Sequence, residues 1–147
     1  MTHRHPTVTV PSTCSLFSCF RKPYTEVAID AAAVLAGMAY PTGLHLRHRA
    51  AMPADSFLDL HFRDIVGEPE RVVRSVYAHC GEPLSDDALA RTLDWDRCNP
   101  QNRHGAHRYS AESFGLSADQ INAAFADYIA FLDRRFPEHR IAAGDAA

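Results

Sequence analysis

No stretch of about 18 apolar residues occurs in this 147-residue chain, and its opening, Met1-Thr2-His3-Arg4-His5-Pro6, lacks the apolar core of a signal peptide. A cytoplasmic protein without a membrane span is therefore expected. Cys14, Cys19, Cys80 and Cys98 contain no C-x-x-C pair. In a reducing compartment they read as buried or half-buried thiols, not as disulfide partners or metal ligands. A basic excess is also missing. The formal charge is −3 with histidines neutral, so no nucleic-acid partner is expected, and any anion recognition must come from one local pocket. Internal repeats are absent.

What is present is ordinary for a globular protein: 46% hydrophobic and 22% charged residues. A chain of this length makes about one domain and buries roughly 70% of the surface its unfolded form exposes. Residues 1–140 are read as that domain and residues 141–147 as a short flexible tail.

Residues 1–5 are too short for an element of their own. They run into Pro6, a good first helical residue, and Val8, Val10, Leu16, Phe17 and Phe20 follow. A helix over residues 6–21 is expected, with Pro11 kinking it or delaying its start. A second helix is expected from about residue 25 to residue 51, broken between Gly37 and Gly43 by Pro41. "SFLDLHF", residues 56–62, alternates in strand fashion and is the one clear strand. "EPERVVRSVYAHCGEPL" puts Val72, Val73, Val76, Tyr77 and Cys80 at helical spacing, with Pro69 in front and Gly81 as the stop. Ser85-Asp86-Asp87 opens another helix with acids where the dipole favours them, and that helix ends before Pro100. Finally, "LSADQINAAFADYIAFLDRRFPEH" reads as one helix capped by Ser117.

A lone strand among helices leaves backbone groups open along both edges. The chain thus reads as part of a larger α/β sheet, or as a unit that pairs with another chain. An all-α domain with one extended linker stays open as the alternative.

The segment "NRHGAHRYSAESFGL" gathers Arg103, His104, His107 and Arg108 around Gly105 in an acidic protein. Together with "THRHPTVTVPSTCSL" near the start and "FLDLHFRDIVGEPERVVRSVYAHCGEPLSDDAL" in the middle, "NPQNRHGAHRYSAESFGLSADQINAAFADY" resembles the C-terminal half of a bacterial sulfotransferase-like protein of the P-loop sulfotransferase superfamily. The resemblance covers about residues 2–137, in order. It implies an α/β fold: the mostly helical C-terminal half of a P-loop-type parallel-sheet architecture. It also implies 3′-phosphoadenosine-5′-phosphosulfate (PAPS) as nucleotide co-substrate.

In such proteins an arginine after a strand and a serine eight positions later hold the nucleotide 3′-phosphate, and Arg4 and Ser12 stand at that spacing here. A guanidinium fork offers paired planar donors to phosphate oxygens, and a helix start adds partial positive charge. The alternative is a solvated Arg4 and a capping Ser12. Arg103, His104 and Gly105 match the family's second phosphate-binding element, where glycine lets backbone amides approach the anion. His107 and Arg108 either join it or pin the loop. Cys98, His104 and His107 have a C-x5-H-x2-H spacing without a well-placed carboxylate, a weak zinc signal, and no metal is expected. Phe62 stands where the wider group often has a tyrosine on the adenine ring; it keeps a stacking face and loses a hydroxyl, and it reads equally well as a core residue. Tyr24, Trp95 and Tyr109 are open between acceptor-pocket and core or interface roles.

The resemblance also implies parts that these residues do not offer: a Gly-rich phosphosulfate loop between strand and helix with Lys or Arg and Ser/Thr, and a histidine base upstream of the Arg/Ser pair. No catalytic residue is therefore assigned. A truncated, inactive or split sulfotransferase that keeps the 3′-phosphate half is expected, with a separately encoded N-terminal half or a second copy as possible partner. The alternatives are a nucleotide- or partner-binding helical module without activity, and a structural helical protein without a ligand.

Overall fold

Thr2–His3 form strand β1 and Leu60–His61 form strand β2. They pair in parallel, Thr2 opposite Leu60 and His3 opposite His61. The computed structural model describes residues 1–100 and 110–140. Among these, residues 1–3 and 54–100 make one compact unit, and residues 4–53 and 110–140 make another.

The strand-bearing unit holds β1, β2 and three helices: α3 (Phe62–Gly67), α4 (Pro69–Cys80) and α5 (Asp86–Cys98). Two points correct the sequence reading. The first residues, judged too short for an element, supply the strand that partners β2. The strand expected over residues 56–62 contracts to Leu60–His61, with Ala54–Ser56 in a 3-10 turn and Phe62 already helical. The cause is local. His61 keeps extended dihedrals (φ −83°, ψ 143°), and its ring Nδ1 accepts the Arg63 N–H at 3.3 Å, which starts α3 at once.

Behind the strands, His3 Nε2 and Asp59 Oδ1 lie 2.9 Å apart with side chains only 2% and 1% exposed. Helix α4 starts at Pro69 and stops at Gly81, whose φ of 71° suits glycine, while the Glu82 N–H returns to the Tyr77 carbonyl at 3.0 Å. Ser85 caps α5 by accepting the Ala88 N–H at 3.2 Å, and Asp86 and Asp87 fill its first turn. Val72 and Leu89 are the buried apolar residues of these helices.

The other unit is helical: α1 (Pro6–Arg21), α2 (Ala31–Ala50), α6 (Ala118–Ala124) and α7 (Ala126–Arg135). Its core joins Val10, Cys14, Ala31, Ala111, Leu116, Ile121 and Phe125. Pro11 does not delay α1, because Pro6, Val10, Pro11 and Cys14 share its buried stripe and the proline ring packs inward. Helix α2 starts later than expected, where Asp30 accepts the Ala33 N–H at 2.9 Å, and it runs unbroken through Pro41. The carbonyl that would meet the proline ring belongs to Gly37, four residues back.

The helix expected after Ser117 divides at Phe125 (φ −115°, ψ 21°). The phenyl ring is buried, yet the ladder carries on, with the Phe125 N–H to the Ile121 carbonyl at 3.1 Å and the Ile129 N–H to the Phe125 carbonyl at 2.9 Å. Ser117 and Gln120 form a reciprocal capping box. Cys14 is fully buried, and burial pushes its thiol pKa up. Cys19, Cys80 and Cys98 are exposed, contrary to the reading of buried thiols, because each lies in the last turn of its helix. No helix among the described residues is long and apolar enough to cross a membrane.

Candidate functional site

The site begins where β1 hands the chain to α1. Arg4 follows the strand, His5 is the N-cap, and Pro6 is the first helical residue. Proline there gives up an N–H that no helix turn would satisfy, and it biases the residue before it toward extended dihedrals; His5 has φ −62° and ψ 137°. Its Nδ1 accepts the Thr7 N–H at 3.3 Å and lies 2.7 Å from Thr7 Oγ1. Burial holds the His5 pKa below its ordinary value, with the Asp133 carboxylate pulling the other way.

Arg4 is half-buried immediately before this cap, and Ser12 is half-buried in the second turn of α1. Both belong to the helical unit. Ser12 lies six residues past Pro6, about 9 Å along the axis at 1.5 Å per residue. Its neighbours spend their hydroxyls on the helix itself: Thr13 donates to the Thr9 carbonyl at 2.9 Å and Ser18 to the Cys14 carbonyl at 2.8 Å. Among the described residues Ser12 makes no such bond. A guanidinium at the positive end of a helix and a hydroxyl one to two turns further on are both groups that bind phosphate-like anions.

The other sequence candidates fall elsewhere. Phe62 is half-buried at the start of α3, in the strand-bearing unit. Its helical position replaces the alternating-strand face assumed for it. Arg103, His104 and Gly105 lie outside the described residues, as do His107, Arg108 and Tyr109. Tyr24 and Trp95 are 87% and 68% exposed, so neither lines a core.

A groove of about 1140 Å³ between α4 and α5 holds none of the candidates. Its arginines already face carboxylates, Arg71 with Glu68 at 2.5 Å, Arg74 with Glu70 at 2.8 Å, and Arg97 with Asp94. It is not the place for an anion.

Sequence reasoning missed His5, His3 and Asp59. For His5 a signal was available, since His-Pro-Thr after a strand is a helix start in which proline fixes the entry and the ring is within reach of the second amide.

Comparison with known proteins bears on the family and the fold. No curated protein matches the chain. Among solved structures, the crystal structure of a sulfotransferase from Mycobacterium avium, STF9, superposes with a TM-score of 0.78 at 25% identity over 89% of this chain. The chain spans only 35% of that protein's length. A family model described as the sulfotransferase family matches residues 1–86, more than half of the sequence, and takes in β1, the Arg4/Ser12 helix and both strand-to-helix junctions. The chain belongs to the sulfotransferase family.

Proposed function

We propose that these residues supply the 3′-phosphate-binding half of a PAPS-type sulfotransferase site, with Arg4 as principal anion ligand and Ser12 as the second. The observation that carries this reading is the strand, Arg4, helix α1 and Ser12 succession, with no bond from the Ser12 hydroxyl among the described residues, inside the region that matches the family. By the resemblance, Arg103, His104 and Gly105 are further candidates for the anion and Phe62 is the candidate for the adenine base. The family generally transfers a sulfuryl group from PAPS to a hydroxyl or amine. That chemistry needs cationic groups at the 5′-phosphosulfate and a base at the acceptor. No strand, Gly-rich loop and helix carrying Lys and Ser/Thr occurs among the described residues, so on this reading they bind the nucleotide and do not turn it over alone.

Calorimetry with adenosine 3′,5′-bisphosphate tests the proposal. Binding is expected, and Arg4→Ala weakens it roughly ten- to hundredfold, the value of one desolvated charge-assisted hydrogen bond. No heat at millimolar ligand refutes the site. Sulfuryl transfer from PAPS to any of a broad set of hydroxyl acceptors refutes the inactivity.

A second reading, a module that completes itself with another chain, is favoured by the sheet. Only two strands pair among the described residues. Parallel pairs of this length are usually part of a larger sheet, and strand addition from another chain is the way such a sheet is completed.

A further inference from the structure

We propose that His5 is the positioning residue of this phosphate site: its neutral imidazole, accepting the Thr7 N–H, fixes where α1 begins and so fixes the spacing of Arg4 and Ser12. The inference rests on the binding reading above and adds a residue that neither the family match nor the Arg/Ser spacing assigns.

The geometry sets the tautomer. A backbone N–H can only donate, so Nδ1, 3.3 Å from the Thr7 nitrogen, is the accepting nitrogen and Nε2 carries the proton. The Thr7 hydroxyl, 2.7 Å away, closes the same turn. Pro6 removes one of the orphan amides and fixes its own φ, leaving the Thr7 amide as the donor His5 must satisfy.

The two proposed anion ligands lie on opposite sides of this cap. Ser12 is held by the body of α1, where Val10, Pro11 and Cys14 are buried. Arg4 precedes the cap and is carried by whichever turn the helix starts from. Loss of the cap frays the first turn and moves Arg4 while Ser12 stays.

Protonation is one way to lose it. An imidazolium has no acceptor at Nδ1, and its charge opposes the positive end of the helix dipole. The charges around the ring are few. Asp133 on α7 bears on it and is itself 3.4 Å from Arg140. Arg4 is its neighbour in sequence. Helices α2 and α6, which also pack against α1, contribute no charge that bears on the ring among the described residues. Burial outweighs Asp133, so the folded protein holds the ring neutral below the ordinary value of 6.5. The unfolded chain takes up this proton first. The cap's contribution is therefore complete above pH 6.5 and is lost as the pH falls below it, through the lower folded value.

The test is the affinity for adenosine 3′,5′-bisphosphate from pH 5 to 8 in the wild type, His5→Ala and His5→Asn. Titration of the ligand's own phosphates is common to all three and cancels in the ratios. At pH 7.5, His5→Ala is expected to bind about fivefold more weakly, and His5→Asn, whose amide oxygen caps without titrating, within about twofold of wild type. Below pH 6.5 the wild type falls progressively behind His5→Asn. Equal binding by His5→Ala, or a wild type that gains on His5→Asn in acid, overturns the proposal, the latter because the ring then acts as a cation on the phosphate. Wild-type binding with no effect of His5 refutes this inference alone, whereas no binding by any of the three refutes the site itself. Thermal melting of the same proteins across this pH range reads the cap without ligand: the wild type should lose stability in acid that His5→Asn keeps, and parallel curves refute the cap.

Discussion

The two units are held together by opposite means. In the helical unit a contiguous apolar cluster runs from Val10 through Ile121 to Phe125; Ser12 stands on a helix anchored in it, and Arg4 just precedes that helix. In the strand-bearing unit the buried residues include His3, Asp59 and His61, all polar, and the apolar contribution narrows to residues such as Val72 and Leu89. Apolar packing tolerates small shifts, whereas a buried polar pair is geometrically exacting and costly to break. The contrast teaches that the strand pairing is specified by hydrogen-bonding geometry and the helix platform by volume.

Substitutions sharpen or break that contrast. The largest loss is expected from Asp59→Ala, which leaves the His3 ring buried beside a hole where it had a carboxylate 2.9 Å away; about 3–5 kcal/mol should disappear in urea unfolding. A loss below about 1 kcal/mol would mean that the polar pair does not hold the strand-bearing unit. Next comes Ile121→Ala at a fully buried position of the apolar cluster, at about 2–5 kcal/mol. Ile121→Val should recover most of it, because volume and not direction is what the helical unit requires. Smallest is Arg74→Ala. Its i,i+4 pair with Glu70 has both side chains 54% exposed, so about 0.3–0.5 kcal/mol is expected, vanishing in high salt.

Helix ends were legible where a cap has a strong sequence signature. Pro69 to Gly81, Ser85 before two aspartates, and Ser117 with Gln120 each satisfy orphan backbone groups with side chains or a left-handed glycine, and each stands where the residues indicate. Strand limits were not legible, because a strand's length depends on its partner. Residues 56–62 alternate well, yet β1 offers only Thr2 and His3 to pair with. The prolines misled in the same way. Pro11 is welcome because its ring fills a buried stripe, a fact of packing that a local rule does not contain, and α2 carries on through Pro41.

For the site, the Arg4 and Ser12 spacing was readable. The uncommitted state of the Ser12 hydroxyl was not, since Thr13 and Ser18 in the same helix bond their own backbone. The histidine caps were missed because imidazole is an uncommon cap, and its role depends on a tautomer that only a neighbouring amide reveals.

The small parallel sheet has a consequence for how the chain reaches its structure. His3 and Asp59 are 56 positions apart, so the pair that locks β1 to β2 closes a long loop. Contacts of this reach are slow to form compared with the local turns of α1 and α2. At typical rates of synthesis, roughly 3–11 s separate the emergence of the two partners. Until then the pairing of β1 with β2 cannot form, and that interval is the time in which a chaperone or a competing chain can act on Thr2–His3.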